Sequence, residues 1–225
     1  IDRKKLDEYF QEKFNNRPVA TRLEDMVEYL GDYNKDLKNK ILKKLKELLT
    51  IDTNPIEVYN KILNKNDLSI DKEITKFNSN GKLQKLSYSD LLPLMYINFE
   101  LNGYPNSNNI KHVIIDEAQD YTLLQFDILN KIFKSASFTI LGDINQTINP
   151  FYKYDDLNDV NKIFYNQGNY IELNKTYRSS QEIIEFSNKI LGIDNVCSVR
   201  HDNSIPVEII EIEKNELIKN LVDSV

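Results

Sequence analysis

The sequence contains one cysteine, Cys197, which excludes an internal disulfide and a cysteine-rich metal site. Its two histidines belong to no cluster with zinc-ligand spacing. The longest apolar run, residues 91–97, is broken by Pro93 and is far too short to span a bilayer. No secretory signal peptide is visible, and the sequence begins at Ile1 instead of a methionine. These absences predict a cytoplasmic protein with no membrane association, of which this chain is an excised piece.

The sequence also lacks an excess of positive charge. It has 29 Lys and Arg against 35 Asp and Glu, a formal net charge of −6 at pH 7. A negative net charge argues against a protein whose whole surface binds the phosphate backbone of a nucleic acid, although it is compatible with a local basic groove. The composition, 40% hydrophobic and 28% charged, is that of an ordinary folded protein. The 225 residues are enough for one large domain or two small ones with a buried core.

The first third of the sequence predicts α-helices. Apolar residues recur at helical spacing in four stretches, and Pro55 opens the fourth of them. Lysines opposite the third stripe favour a solvated face over a nucleic-acid contact. We therefore expect residues 1–80 to form a helical domain. The apolar residues are Leu6, Tyr9, Phe10 and Phe14; Leu23, Met26, Val27 and Leu30; Leu37, Ile41, Leu42, Leu45, Leu48 and Leu49; Val58, Tyr59 and Ile62.

The rest of the sequence predicts alternating strands and helices, so the predicted fold class is α/β. Ser87 is expected to cap a helix that ends at Asn102-Gly103. Short apolar, β-branched runs at 113–115 and 138–141 flank a helical stretch, a pattern typical of parallel strands buried on both faces. The later predicted elements are a helix at 155–165, a strand at 170–173, a helix at 180–191, a strand at 207–212 and a helix from about residue 215.

Two carboxylates, Asp116 and Glu117, directly follow the first of these strands, within the segment Asp-Glu-Ala-Gln-Asp at 116–120. In an open α/β sheet, ligands bind outside the carboxyl ends of the strands. An aspartate there can hold the Mg²⁺ of a bound nucleotide, and the next carboxylate can deprotonate the attacking water. The alternative is an acidic helix start, which the helix dipole favours.

Two further segments follow predicted strands. The segment Gly-Asp-Ile-Asn-Gln at 142–146 places Gln146 where its amide can hydrogen-bond a terminal phosphate or the attacking water. Arg178, in the segment Thr-Tyr-Arg-Ser-Ser at 176–180, is a candidate arginine finger. Taken singly, each of them is also explained as an ordinary turn or a surface arginine beside a Ser N-cap.

In this order, the three segments resemble motifs II, III and IV of the UvrD/Rep-type superfamily 1 helicases. The resemblance implies that Asp116 is the Mg²⁺ ligand and Glu117 the catalytic base. It implies that Gln146 is the γ-phosphate sensor and Arg178 the finger supplied by a second motor domain. ATP and Mg²⁺ are the implied cofactors, and a single strand of DNA is the implied track.

The resemblance also implies a P-loop NTPase (RecA-like) motor core. Residues 81–168 would be part of its first domain (1A), residues 169–225 the beginning of the second (2A), and residues 1–80 a 1B-type helical insertion. The sequence has no G-x-x-x-x-G-K-[ST] phosphate loop. The family places that loop upstream of the insertion, so the rest of the parent chain is expected to supply it. The chain alone is therefore expected not to hydrolyse ATP.

Residues 86–96, 110–121 and 138–146 look like the HelD branch, whose members are ATPases that help remove bacterial RNA polymerase from nucleic acid. Thr176 suits that branch, because the usual UvrD/Rep helicases have Asn there. This interpretation places an RNA-polymerase-recycling motor slightly ahead of a DNA-unwinding repair helicase. A non-catalytic scaffold is the second class of alternative, but a scaffold has no physical need for all four site residues.

Overall fold

The computed structural model describes residues 3–15, 17–31, 34–69, 76–77, 79–80, 82–105, 107–148, 153–200 and 206–213. The chain divides into two compact units, Ile1–Gln167 and Gly168–Val225. This division falls one residue before the start predicted for the second domain, at 169. The assignment of the units to particular motor domains stays a prediction.

Helices form the first part of unit 1, as the apolar periodicity predicts. They are α1 (Arg3–Glu8), continued by a π-helical turn (Tyr9–Lys13), α2 (Val19–Leu30), α3 (Lys35–Leu49) and α4 (Pro55–Lys65). The side chains of Asn34 and Asn54 cap α3 and α4 by accepting backbone N–H groups of the first turn. The buried core of this part consists of Leu6, Phe10, Leu23, Met26, Val27 and Leu45.

A short antiparallel pair, β1 (Lys76–Phe77) and β2 (Leu83–Lys85), follows α4. The sequence of residues 66–86 is polar and contains Asn-Ser-Asn-Gly at 78–81, which predicts a turn there. Residues 79–80 do lie in a turn, whereas Asn78 and Gly81 are outside the described residues.

Helix α5 (Tyr88–Asn102) begins and ends where the sequence predicts, at Ser87 and Gly103. Ser87 Oγ accepts a hydrogen bond from the backbone N–H of Asp90 (3.2 Å) and donates one to Asp90 Oδ2 (2.6 Å). The hydroxyl of Tyr59 on α4 donates to the other oxygen, Oδ1, at 2.9 Å. Burial, and next the hydrogen bond to Asp90, raise the pKa of Tyr59 to about 12. This buried cluster joins α4 to the start of α5.

Strand β3 (His112–Ile115), α6 (Leu123–Ile132) and β4 (Ser137–Ile140) form a parallel β-α-β unit, confirming the predicted strand-helix-strand order. The register pairs His112 with Ser137 and Ile115 with Ile140. Lys131 of α6 lies 2.7 Å from Glu100 Oε1, which ties α6 to α5.

One part of the sheet prediction is wrong: the strands are not buried on both faces. Val113, Ile115, Phe138 and Ile140 pack against the core around Phe126 of α6 and Val160 of the 3₁₀ helix Leu157–Phe164. Ile114 on the opposite face is 69% exposed. In the described residues, therefore, β3 and β4 pack against the core on one face of the sheet only. The 3₁₀ helix stands within the stretch predicted as a longer helix at 155–165.

Unit 2 contains a second parallel β-α-β unit, made of β5 (Lys175–Thr176), α7 (Gln181–Leu191) and β6 (Cys197–Ser198). Helix α7 confirms the prediction at 180–191, but the predicted strands at 170–173 and 207–212 are wrong. Residues 170–173 pair with no strand in the described residues, and Leu173 is 83% exposed. Residues 207–212 also form no strand, and the helix predicted from about residue 215 lies outside the described residues. Apolar character alone does not make a strand, because a strand also needs a hydrogen-bonded neighbour.

Among the described helices, none combines the length and apolar character needed to cross a bilayer.

Candidate functional site

The two acidic segments of unit 1 meet at the carboxyl ends of β3 and β4. Asp116 follows β3 directly, and Gly142 lies just beyond β4. The backbone N–H of Leu141 donates to the carbonyl of Ile115 (2.8 Å), and the N–H of Ala118 donates to the carbonyl of Leu141 (2.9 Å). The pairing of the strands thus continues past their ends and brings segments 116–120 and 142–146 together. This is the edge of a parallel sheet where ligands bind.

Glu117 adopts a left-handed backbone conformation, with φ 51° and ψ 43°. This region is uncommon for a residue with a side chain, and strained residues cluster at functional sites. The conformation turns the chain from β3 into the short 3₁₀ turn Ala118–Asp120. It leaves the side chains of Asp116 and Glu117 exposed at the edge of the sheet. Asp116 Oδ1 accepts the backbone N–H of Glu117 at 2.9 Å.

Gln119 is buried between the two segments, with only 2% of its surface exposed. Its Nε2 donates to Glu117 Oε2 at 2.7 Å. Its Oε1 accepts the backbone N–H of Asp143 at 3.0 Å. A Cβ added at Gly142 would lie 2.9 Å from Gln119 Oε1 and 3.1 Å from both Cβ and N of Ala118. Glycine is therefore the residue that allows the two segments to approach this closely.

Asp143 organises the segment that carries Gln146. Its Oδ1 accepts the backbone N–H of Asn145 at 2.9 Å, which caps the 3₁₀ turn Ile144–Gln146. Its Oδ2 accepts a hydrogen bond from Gln146 Nε2 at 2.9 Å. The exposed Gln146 side chain is thus oriented by its hydrogen bond to Asp143.

Asp120 holds the far side of the same segment. Its Oδ1 accepts hydrogen bonds from Thr147 Oγ1 (3.2 Å) and from the backbone N–H of Ile148 (3.3 Å). Two consecutive residues, Gln119 and Asp120, therefore bind opposite ends of the 143–148 segment.

Arg178 belongs to unit 2, just after β5, and its side chain is exposed. Its backbone N–H donates to Thr176 Oγ1 at 3.2 Å, and its carbonyl accepts from Arg200 Nη1 at 3.1 Å. Thr176 and Arg200 thereby fix the backbone that carries the guanidinium. Ser180 stands at the N-cap position of α7, but its side chain makes no capping hydrogen bond.

The structure brings Asp116, Glu117 and Gln146 to one sheet edge, and it places Arg178 in the other unit. Sequence reasoning missed Gln119 and Asp120 as organising residues, although both stand in the segment it singled out. The signal available was Gly142, since a glycine after a strand often marks a close backbone approach.

In the described residues, no three His, Cys, Asp or Glu side chains come together to hold a metal ion. Asp116 leaves Oδ2 without a hydrogen-bond partner in that same part of the chain. Carboxylate oxygen suits Mg²⁺, which is usually held by one or two carboxylates with phosphate and water oxygens. This donor set fits a magnesium ion that arrives with a nucleotide and takes a single protein ligand.

Comparison with known proteins decides the family. Residues 2–156 match the model of the UvrD/REP helicase N-terminal domain. The chain belongs to this family. The UvrD/Rep resemblance of segments 116–120 and 142–146, which lie within this match, is therefore confirmed, and a mixed helix-strand fold with small parallel sheets is consistent with such a domain. The segment at 176–180 lies outside the match, and its assignment stays a prediction.

Curated relatives of this UvrD/REP domain carry helicase names. The chain is 27% identical over 210 residues to the ATP-dependent DNA helicase SRS2 of Saccharomyces cerevisiae, covering 80% of this chain and 18% of the relative. It is 38% identical over 82 residues to a component of the ATP-dependent helicase/nuclease of Oenococcus oeni (35% and 7%). It is 32% identical over 88 residues to the ATP-dependent DNA helicase srs2 of Schizosaccharomyces pombe (38% and 10%). The chain thus spans less than a fifth of the length of each of these relatives.

Proposed function

We propose that this chain is part of an ATP-dependent DNA helicase or translocase with a RecA-like motor core, which couples ATP hydrolysis to movement along a single strand. The observation that carries the proposal is the meeting of Glu117 and Gln146 at the carboxyl ends of two parallel strands, linked through Gln119 and Asp143. A catalytic base and a phosphate-sensing amide need this proximity, because both act at the same terminal phosphate.

Each site residue has one role in this proposal. Asp116 would hold Mg²⁺ with its carboxylate, and this ion would supply positive charge to neutralise the phosphates. Glu117 takes a proton from the attacking water, since its carboxylate is exposed at the sheet edge. Gln146 donates its amide to the terminal phosphate or to that water. Arg178 supplies delocalised positive charge as charge develops in the transition state.

The names of the relatives, ATP-dependent DNA helicases, favour DNA as the track and strand separation as the output. The narrower HelD-like function, removal of RNA polymerase, rests on the sequence resemblance alone. Thr176, the residue that suits that branch, uses its hydroxyl to accept the backbone N–H of Arg178. That local role serves either output.

The test is Glu117→Gln in the full-length protein that contains this chain. MgATP should still bind, while kcat for DNA-stimulated ATP hydrolysis should fall about 10²- to 10⁴-fold, the usual contribution of a general base. Glu24→Gln is the matched control, because Glu24 is exposed on α2 and lies in none of the motif segments. A wild-type protein without ATPase activity would favour the scaffold alternative. Release of RNA polymerase without strand displacement would favour the HelD-like one.

A further inference from the structure

A continuous path of three hydrogen bonds joins Glu117 to Gln146. Gln119 Nε2 donates to Glu117 Oε2 at 2.7 Å, and Gln119 Oε1 accepts the N–H of Asp143 at 3.0 Å. Gln146 Nε2 then donates to Asp143 Oδ2 at 2.9 Å. Gln119 is the only buried side chain among these four residues.

We propose that Gln119 is a positioning residue that couples the catalytic base, Glu117, to the 142–146 segment, which carries Gln146. Through it, a displacement of the 142–146 segment moves the carboxylate of Glu117. This inference rests on the proposed function, since it names how that same site is regulated. Gln119 touches neither nucleotide nor water in this role, and it acts through Glu117.

The amide of Gln119 is oriented by its two partners. A backbone N–H can only donate and a carboxylate without a proton can only accept. The oxygen of the amide must therefore face Asp143, and its nitrogen must face Glu117. A glutamate at this position can still accept from Asp143, but it has no proton to give to Glu117. An apolar residue loses both bonds.

Close packing leaves Gln119 little freedom to absorb a displacement. Ala118 beside it is fully buried, and the backbone of Gly142 passes so close that a single added carbon would lie 2.9 Å from Gln119 Oε1. Packed interiors transmit displacement instead of damping it. A ligand that pulls on Gln146 therefore shifts Asp143, then Gln119, then Glu117.

Asp120 gives the segment a second attachment. It binds Thr147 and Ile148, at the end opposite the Gln119–Asp143 bond. A segment held at both ends by neighbouring residues of one turn moves with that turn.

The experiment compares Gln119→Glu and Gln119→Met with wild type in the full-length protein. ATP hydrolysis is measured with and without single-stranded DNA, alongside the Kd for MgATP and the Tm. The matched control is Gln125→Glu, which makes the same change of charge in a glutamine that caps α6. Gln125 uses its Oε1 to accept from Thr122, and a glutamate keeps that acceptor.

Both Gln119 variants should lower kcat about 10- to 100-fold. This is the range for residues that orient a functional side chain by hydrogen bonding to it. The Kd for MgATP should stay within a factor of about two, and the ratio of DNA-stimulated to basal rates should fall towards one. Gln125→Glu should match wild type in all three quantities.

Two results would overturn the coupling. One is a normal kcat and a normal DNA stimulation in Gln119→Glu; the other is a loss of activity fully explained by a smaller active fraction and a lower Tm. In both cases Glu117→Gln would still lower kcat about 10²- to 10⁴-fold if the proposed function is right. Failure of the coupling is therefore distinguishable from failure of the function.

Discussion

Glu117 and Gln119 are joined by a 2.7 Å hydrogen bond in which the amide of a buried side chain donates to an exposed carboxylate. The orientation of the carboxylate is thus set from the protein interior. Groups held by such supporting contacts need less reorganisation when a reaction begins. Mutations of the residues around Glu117 therefore test the site as directly as mutations of Glu117.

Gly142→Ala should destabilise the chain, because the new Cβ would lie 2.9 Å from Gln119 Oε1 and 3.1 Å from Ala118. Overpacking of this kind costs about 1–3 kcal/mol, measured as the free energy of unfolding in urea. The same variant of the full-length protein should lose ATPase activity at temperatures where it remains folded. The control is Gly192→Ala, where φ is +69° but nothing lies within 4 Å of the added carbon. Gly192→Ala should lower the free energy of unfolding without lowering ATPase activity.

Arg178→Lys should fail nearly as badly as Arg178→Ala in ATP hydrolysis by the full-length protein. Lysine keeps the charge but lacks the planar fork that matches phosphate oxygens. An arginine finger contributes about 10³- to 10⁵-fold to kcat. Lys189→Ala, an exposed change on α7 of the same unit, should leave kcat unchanged. Near-normal turnover by the lysine variant would show that hydrolysis does not depend on the guanidinium of Arg178.

Asp120→Ala should release the C-terminal end of the 143–148 segment, because Thr147 Oγ1 and the N–H of Ile148 lose their acceptor. Hydrogen exchange at the Ile148 amide should accelerate, while amides of α6 should keep their protection. Asp127→Ala provides the comparison, since Asp127 pairs with Lys131 on α6 and is distant in sequence from this segment. Unaltered exchange at Ile148 in Asp120→Ala would mean that this attachment is weaker than its geometry indicates.

Tyr59→Phe should lower the free energy of unfolding by about 1–3 kcal/mol at pH 8, because Asp90 loses a buried donor. The pKa of Tyr59 is raised from 10.0 to about 12. Its contribution to stability is therefore complete below pH 10 and is lost as the pH rises from 10 towards 12. The stability difference between wild type and variant should shrink across that range in urea titrations. A difference independent of pH would remove the Tyr59–Asp90 bond as its cause.

The elements predicted well are those whose signals are local. The cap at Ser87, the end of its helix at Gly103, and the alternation of β3, α6 and β4 depend on neighbours in sequence. The strands of unit 2 were missed for the opposite reason. Strand β5 is the polar pair Lys175–Thr176, and it exists because β6 pairs with it from across α7.

The candidate site divides in the same way. The positions of Asp116, Glu117 and Gln146 relative to strands could be predicted, because loops after parallel strands share one edge of the sheet. The part played by Gln119 could not, since it depends on Asp143, a residue 24 positions further along the chain. Similarly, nothing local marks Glu117 as left-handed in its backbone. The chemical roles of these residues stay predictions.

The close approach of Gly142 to Gln119 also has an evolutionary consequence. Because the space beside Gly142 is filled by Gln119 Oε1 and Ala118, a larger residue at 142 displaces these neighbours unless 118 or 119 becomes smaller. Natural selection then acts on the group of positions together, and contacting positions of this kind change in concert. In lineages that abandon hydrolysis, we expect this constraint to relax at 119 and 142 together, before the surrounding core diverges.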